Sequence, residues 1–201
     1  GKDGYGRDVV GLYPILLDDT CYFLAIDFDD GDWQDNVSEV RNICTSWNIP
    51  CAVERSRSGE GAHLWIFFTE PISCSVARKL GTALLTAAME NSGKLKLDSY
   101  DRMFPNQDTL PKGGFGNLIA LPLQGQARKK NNSSFVDEDF VAYEDQWAYL
   151  SQMQKLSAIE VENLIHMHSR GDGLGILCTD SDETKPWEKR PKAVLAAMDF
   201  A

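Results

Sequence analysis

An apolar run at residues 22–26, Tyr-Phe-Leu-Ala-Ile, stops abruptly at Asp27-Phe28-Asp29. The run predicts a buried strand, and alternation along a strand places Asp27 and Asp29 on one face, with Cα atoms roughly 7 Å apart. Two carboxylates held side by side repel each other unless a cation lies between them. Hard divalent ions with oxygen ligands, Mg²⁺ or Mn²⁺, suit that arrangement, and so does phosphoryl-transfer chemistry. A solvated strand end explains the same triplet without any ion, so the pair alone does not decide.

A second segment, Ser56-Arg57-Ser58-Gly59-Glu60-Gly61-Ala62-His63, leads into Leu64-Trp65-Ile66-Phe67-Phe68. It reads as a glycine-containing turn feeding a strand, with His63, Trp65 and Phe67 on one face and Leu64, Ile66 and Phe68 on the other. Gly59 and Gly61 let backbone N–H groups approach an anion, and Arg57 and His63 add charge or donors. The turn is therefore a candidate cradle for a triphosphate; an ordinary hairpin turn is the competing reading. A third segment runs Lys96-Leu97-Asp98-Ser99-Tyr100-Asp101-Arg102-Met103-Phe104-Pro105-Asn106-Gln107-Asp108. A carboxylate here that converged on Asp27 and Asp29 would complete a two-metal cage, whereas Pro105 and Asn106 would equally suit a polar loop.

These three segments, in this order, resemble the motifs of the archaeo-eukaryotic primase superfamily, the primase-polymerases. That superfamily has an acidic D-x-D/E pair, a Ser/Gly turn ending in a strand His, and a later single Asp. More narrowly, residues 99–108 and the segment Gly113-Gly114-Phe115-Gly116-Asn117-Leu118-Ile119-Ala120-Leu121-Pro122-Leu123 are similar to the primase module of TOTE conflict systems, with CRISPR-associated primase-polymerases as relatives. The resemblance spans roughly residues 10–150. It implies a template-dependent nucleotidyltransferase in which Asp27, Asp29 and Asp101 are catalytic and hold two Mg²⁺ or Mn²⁺ ions. Asp98 is the alternative third ligand. It further implies that Ser58, Gly59 and His63 bind the incoming nucleotide's phosphates, with Arg57 as a helper, and Asn106, Gln107, Lys112 and Asn117 are secondary candidates for contacts to nucleotide or template. The implied partners are nucleoside triphosphates, a single-stranded or primed DNA or RNA template, and a helicase domain in the same full-length protein.

The pattern along the chain predicts an α+β fold. Strands near 21–28, 50–55, 62–68, 95–100 and 117–122 alternate with helices near 35–47 and 73–90, an RRM-like βαββαβ core with helices on one sheet face. Val37, Val40, Ile43, Cys44 and Trp47 form the apolar stripe of the first helix, and Val76, Leu80, Leu84 and Ala88 that of the second. The other sheet face is expected to be open and to carry Asp27, Asp29 and His63. A helix over 145–154 follows, and Ser157-Ala158-Ile159-Glu160 reads as a capping box opening another. This divides the chain into a catalytic core at 1–150, a helical appendage at 151–178, and a linker with the start of a further segment at 179–201.

Composition excludes several classes. No run reaches transmembrane length and no signal peptide is visible, so membrane partners are not expected. The five cysteines, at 21, 44, 51, 74 and 178, offer no C-x₂-C pair, which argues against a zinc site or disulfide framework and for a cytoplasmic setting. His166 and His168, two apart on a helix, diverge and make a poor metal pair. The net charge of −10 is uneven, for residues 1–135 carry 14 Lys/Arg against 17 Asp/Glu, and residues 136–201 carry 6 against 13. Weak, salt-sensitive binding of single strands by this module alone is expected. A non-catalytic single-strand-binding or replication-initiator module is the alternative, disfavoured because a pure binder has no use for clustered carboxylates. A relaxase would need a His pair and a nucleophilic Tyr, and His63 has no neighbouring histidine in sequence.

Overall fold

A computed structural model describes residues 9–29, 31–92 and 102–168. Its centre is a five-stranded antiparallel sheet in the order β5-β2-β4-β3-β7. The strands are β2 (Thr20–Phe28), β3 (Ala52–Arg55), β4 (Ala62–Ser73), β5 (Arg102–Phe104) and β7 (Ser134–Val136). Helix α1 (Trp33–Ser46) connects β2 to β3, and α2 (Cys74–Ser92) follows β4 directly. The expected hairpin is formed by β3 and β4, with Arg55 opposite Ala62 and Glu54 opposite His63.

Parity along the strands sorts the two faces. Leu24, Ile26 and Phe28 of β2 and Leu64, Ile66 and Phe68 of β4 join the core under the helices. That core takes Val37, Val40, Ile43 and Cys44 from α1, and Cys74, Ala77, Leu80, Leu84 and Ala88 from α2. Helix α5 (Ala158–His168) adds Val161 and Leu164 to the same core and packs against α2 and β4. Its entry is the expected capping box: Glu160 Oε2 accepts from the Ser157 backbone N–H at 2.7 Å, and the Glu160 N–H donates to Ser157 Oγ at 3.3 Å. Just before it, Leu156 bridges to Phe68, so the segment expected as an appendage starts hydrogen-bonded to β4. Trp47, expected on the α1 stripe, packs partly buried against the same core from the C-cap position and stacks on His168 with ring centroids 3.8 Å apart.

The opposite face is not the open surface that the sequence suggested. Phe23, Ala25, Ala52, Trp65, Phe104, Ile119 and Phe135 form a second apolar cluster there, flanked by Leu12, Leu123, Tyr143 and Tyr149. Ile119 belongs to β6 (Ile119–Ala120), which pairs with β1 (Gly11–Leu12) in a separate two-stranded ribbon. The run near 117–122 is therefore a strand, but not one of the main sheet. Burial predicts that such a run is extended; it does not predict its partner. The fourth position in chain order on the main sheet is taken by β5, inside the segment for which a polar loop was the competing reading. The expected strand near 95–100 lies outside the described residues. The edge strand β7 was not anticipated; its Phe135 N–H and carbonyl are held by the buried amide of Gln146, which leads α4 (Gln146–Ser151). A short α3 (Gly125–Arg128) precedes β7. No helix among the described residues is long and apolar enough to cross a membrane.

Candidate active site

The sheet register builds a row of residues across its width: Arg102, Asp27, His63, Glu54 and Phe135 lie opposite one another in turn. Parity puts these side chains on the face of the second apolar cluster, at the strand ends where that cluster gives out. His63 Nε2 lies 3.3 Å from Asp27 Oδ1, and His63 Nδ1 lies 2.8 Å from Glu54 Oε2. Glu54, 1 % exposed, also accepts from Trp65 Nε1 at 3.2 Å and from Ser133 Oγ at 3.3 Å. Glu54 is thus fixed by three donors, and it fixes His63 in turn.

Charge follows from this geometry. Burial of the ring would lower the pKa of His63, but the carboxylates of Asp27 and Glu54 on either side of it outweigh burial and raise the value to about 10. At neutral pH the row therefore holds an imidazolium between two acids. The contact with Asp27 is an ion pair by distance, yet it is poorly directed, for Asp27 Oδ1 is buried and accepts no hydrogen bond. A buried carboxylate is costly unless a cation lies beside it, and the His63 imidazolium supplies that charge without a directed hydrogen bond to this oxygen. Asp29, two residues on, is exposed at the strand end. Gly61 faces it across the strands, where a Cβ would come within 2.6 Å of Asp29 Oδ1 and 2.5 Å of the Phe28 carbonyl, so glycine is needed for this approach. Oxygen donors of this kind suit a hard divalent ion. No group of three or more His, Cys, Asp or Glu among the described residues forms a metal cage. Asp101 and Asp98, the third acids expected, lie outside those residues. Arg102, the next residue after Asp101 in the chain, pairs with Asp27.

The turn before β4 is tightly organised. The Ser56 N–H donates to the Gly61 carbonyl at 2.8 Å, the Gly59 N–H to the Ser56 carbonyl at 3.1 Å, and the Glu60 N–H to Ser58 Oγ at 3.2 Å. Ser58 Oγ also lies 2.9 Å from Ser56 Oγ. The expected donors Gly59 and Ser58 are thus partly engaged inside the turn, which presets its shape. Arg57 and Ser58 are exposed, and Gly59 adopts φ +89°, a left-handed conformation that favours glycine. Asn132 braces the turn by donating from Nδ2 to the Ser58 carbonyl at 3.1 Å. Lys112 is exposed in a separate turn between β5 and β6. Sequence reasoning missed Glu54, Asn132 and Ser133. Glu54 carried a signal, since folding the 56–61 turn back on itself places it opposite His63.

The sequence profile of the TOTE conflict system, archaeo-eukaryotic primase domain family matches residues 4–164. The chain belongs to this family. The match extends past the core expected to end at 150 and includes most of α5. A comparison with curated proteins finds none that matches the chain.

Proposed function

We propose that this chain is the catalytic core of a primase-polymerase, a nucleotidyltransferase that joins nucleoside triphosphates along a DNA or RNA template. We read β2-α1-β3-β4-α2-β5 as the RRM-like βαββαβ unit of that superfamily. The reading rests on family membership and on one observation: the Asp27 carboxylate is buried at a strand end with an oxygen that accepts no hydrogen bond.

Asp27, Asp29 and Asp101 are the proposed ligands of two Mg²⁺ or Mn²⁺ ions, which when bound lower the pKa of an attacking 3′-hydroxyl and offset charge developing on phosphorus. His63 sets a fixed positive charge beside Asp27, which offsets part of the carboxylate charge that a triphosphate would meet there. Glu54, pinned by Trp65 and Ser133, keeps that ring charged and oriented. The turn with Arg57, Ser58 and Gly59 is the proposed phosphate seat, and Lys112 reaches nucleotide or template from its own turn. A helicase domain in the full-length protein and an intracellular setting accompany this reading.

The test is incorporation of a labelled nucleotide into a primed template with Mn²⁺ or Mg²⁺. Asp27→Ala and Asp29→Ala are expected to reduce incorporation to background while circular dichroism stays that of the parent chain. Full extension by either variant refutes the assignment. A parent chain that binds the template without ever extending it makes the module a non-catalytic binder.

A further inference from the structure

In a chain with 30 Asp and Glu, residues 109–136 contain none. The same stretch holds Lys112 and the chain's one run of three consecutive basic residues, Arg128-Lys129-Lys130. All three side chains of the run are exposed, and no acid among the described residues forms an ion pair with them. Their backbone is not a slack loop. Arg128 N–H donates to the Gln124 carbonyl at 3.0 Å, Lys130 N–H to Ala127 at 2.9 Å, and Asn131 N–H to Arg128 at 3.0 Å. Ser133 sits at φ 51°, a left-handed conformation that a serine keeps where surrounding contacts impose it, and Asn131 at φ 57° takes the same turn as asparagine readily does.

Those contacts lead to the candidate active site. Asn132 donates to the Ser58 carbonyl, and Ser133 N–H donates to the Ser56 carbonyl at 3.2 Å. Ser133 Oγ reaches Glu54, the partner of His63. Three exposed cations are thus mounted on a segment bonded to both halves of the proposed nucleotide seat. A cationic run that was only a solvated surface would need neither an acid-free stretch of chain around it nor this fixed mounting.

We propose that Arg128, Lys129 and Lys130 form a binding site for the phosphate backbone of a single-stranded nucleic acid, placed by Asn132 and Ser133 beside the turn at residues 56–61. This deepens the polymerase reading and rests on it for the identity of the strand. The ligand is a polyanionic strand read by charge, so affinity falls with salt and is indifferent to base sequence.

The experiment is fluorescence anisotropy of a labelled single-stranded oligonucleotide at several salt concentrations, without metal or nucleotide. The variant Arg128→Gln/Lys129→Gln/Lys130→Gln should raise Kd about tenfold at low salt and reduce the slope of log Kd against log salt by about 2, at roughly 0.7 for each phosphate no longer neutralised. The swap Arg128→Lys/Lys129→Arg/Lys130→Arg should restore both. A control, Lys79→Gln/Lys155→Gln, removes exposed charge from elsewhere and should move Kd little. An unchanged Kd and slope in the triple variant, or an equal effect per charge in the control, overturns the site. The two readings fail separately: strand binding that depends on the run in a chain that never incorporates nucleotide keeps this site and removes the polymerase, and undiminished binding in an active triple variant does the reverse.

Discussion

On β2 and β4, neighbouring residues look to opposite sides of the sheet, and the two sides solve different problems. Toward the helices lie Leu24, Ile26, Phe28, Leu64, Ile66 and Phe68, none more than 2 % exposed and none polar. Toward the other side lie Phe23, Ala25 and Asp27, and Phe67, Trp65 and His63, a series that runs from apolar packing into charge at the strand ends. The helix side is held by many interchangeable contacts, so its stability is spread widely. The site side depends on a few directed bonds among Asp27, His63, Glu54, Trp65 and Ser133, and removing any one of them leaves a buried polar group without its partner. Stability is therefore expected to be concentrated on one side and function on the other.

Adjacent residues of β4 make the sharpest test. Leu64→Ala should lower unfolding free energy by roughly 2–5 kcal/mol through the cavity it leaves under the helices. Nucleotide incorporation by the remaining folded fraction should be retained. Urea denaturation paired with activity measured well below the transition checks this, and a specific activity that collapses in parallel would break the division between the faces. Glu54→Gln acts from the other side. It keeps the volume but removes the charge that holds His63, at about 1.5–3 kcal/mol for hydrogen bonds to a charged group. Incorporation should fall about 10- to 100-fold, as when a partner that orients a site residue is removed. A variant stable as predicted yet fully active would place Glu54 on the structural side.

Protonation gives an independent measure of the same row. The pKa of His63 is raised from 6.5 to about 10, so the folded chain binds a proton more tightly than the unfolded chain. That stabilisation is complete below about pH 6.5 and is lost as pH rises through about 10, with a slope of at most about 1.4 kcal/mol per pH unit from this one group. Urea midpoints of the metal-free chain between pH 6 and 10 should fall accordingly, and His63→Gln should flatten the dependence. Parallel curves for the two proteins would show that the ring is not charged in the fold.

Much of this was legible in the sequence. The alternation in residues 22–28 and 62–68 assigned the two faces correctly, the stripes of α1 and α2 gave the helical cover, and Ser157 with Glu160 marked the start of α5. Two kinds of information were not local. Strands of three residues, β5 and β7, are too short to show a period, and β5 sits among Pro105 and Asn106 that argue for a loop. Register between distant strands was the other: nothing in either segment says that Asp27 lies opposite His63 rather than one position along, yet a one-residue slip would put the two on opposite faces. Glu54 was passed over for a related reason, since the expected hairpin names the partner strand but a single acid in a short apolar strand resembles a solvated edge until the register across the turn is worked out. The open face was overestimated because the residues that cover it come from β1, β6 and the segment around Tyr143 and Tyr149, none of which declares its partner.

The smallest expected effect concerns the turn that links the two sides. Gly59→Ala imposes a side chain at φ +89°, a strain of about 1 kcal/mol, and its Cβ would approach the Asn132 amide to 2.7 Å. The nearest atoms are the end of a side chain, so Asn132 gives way and the fold survives. What goes is the brace from Asn132 to Ser58, and with it the fixed shape of the proposed phosphate seat, while Asp27, His63 and Glu54 keep their positions. KM for the nucleotide should therefore rise several-fold with kcat nearly unchanged, the signature of binding weakened equally in ground and transition states. Steady-state kinetics at saturating template separates the two parameters. A fall in kcat with KM unmoved would mean that the turn acts on the chemical step through His63, and the boundary between seat and catalytic row would have to be redrawn to include it.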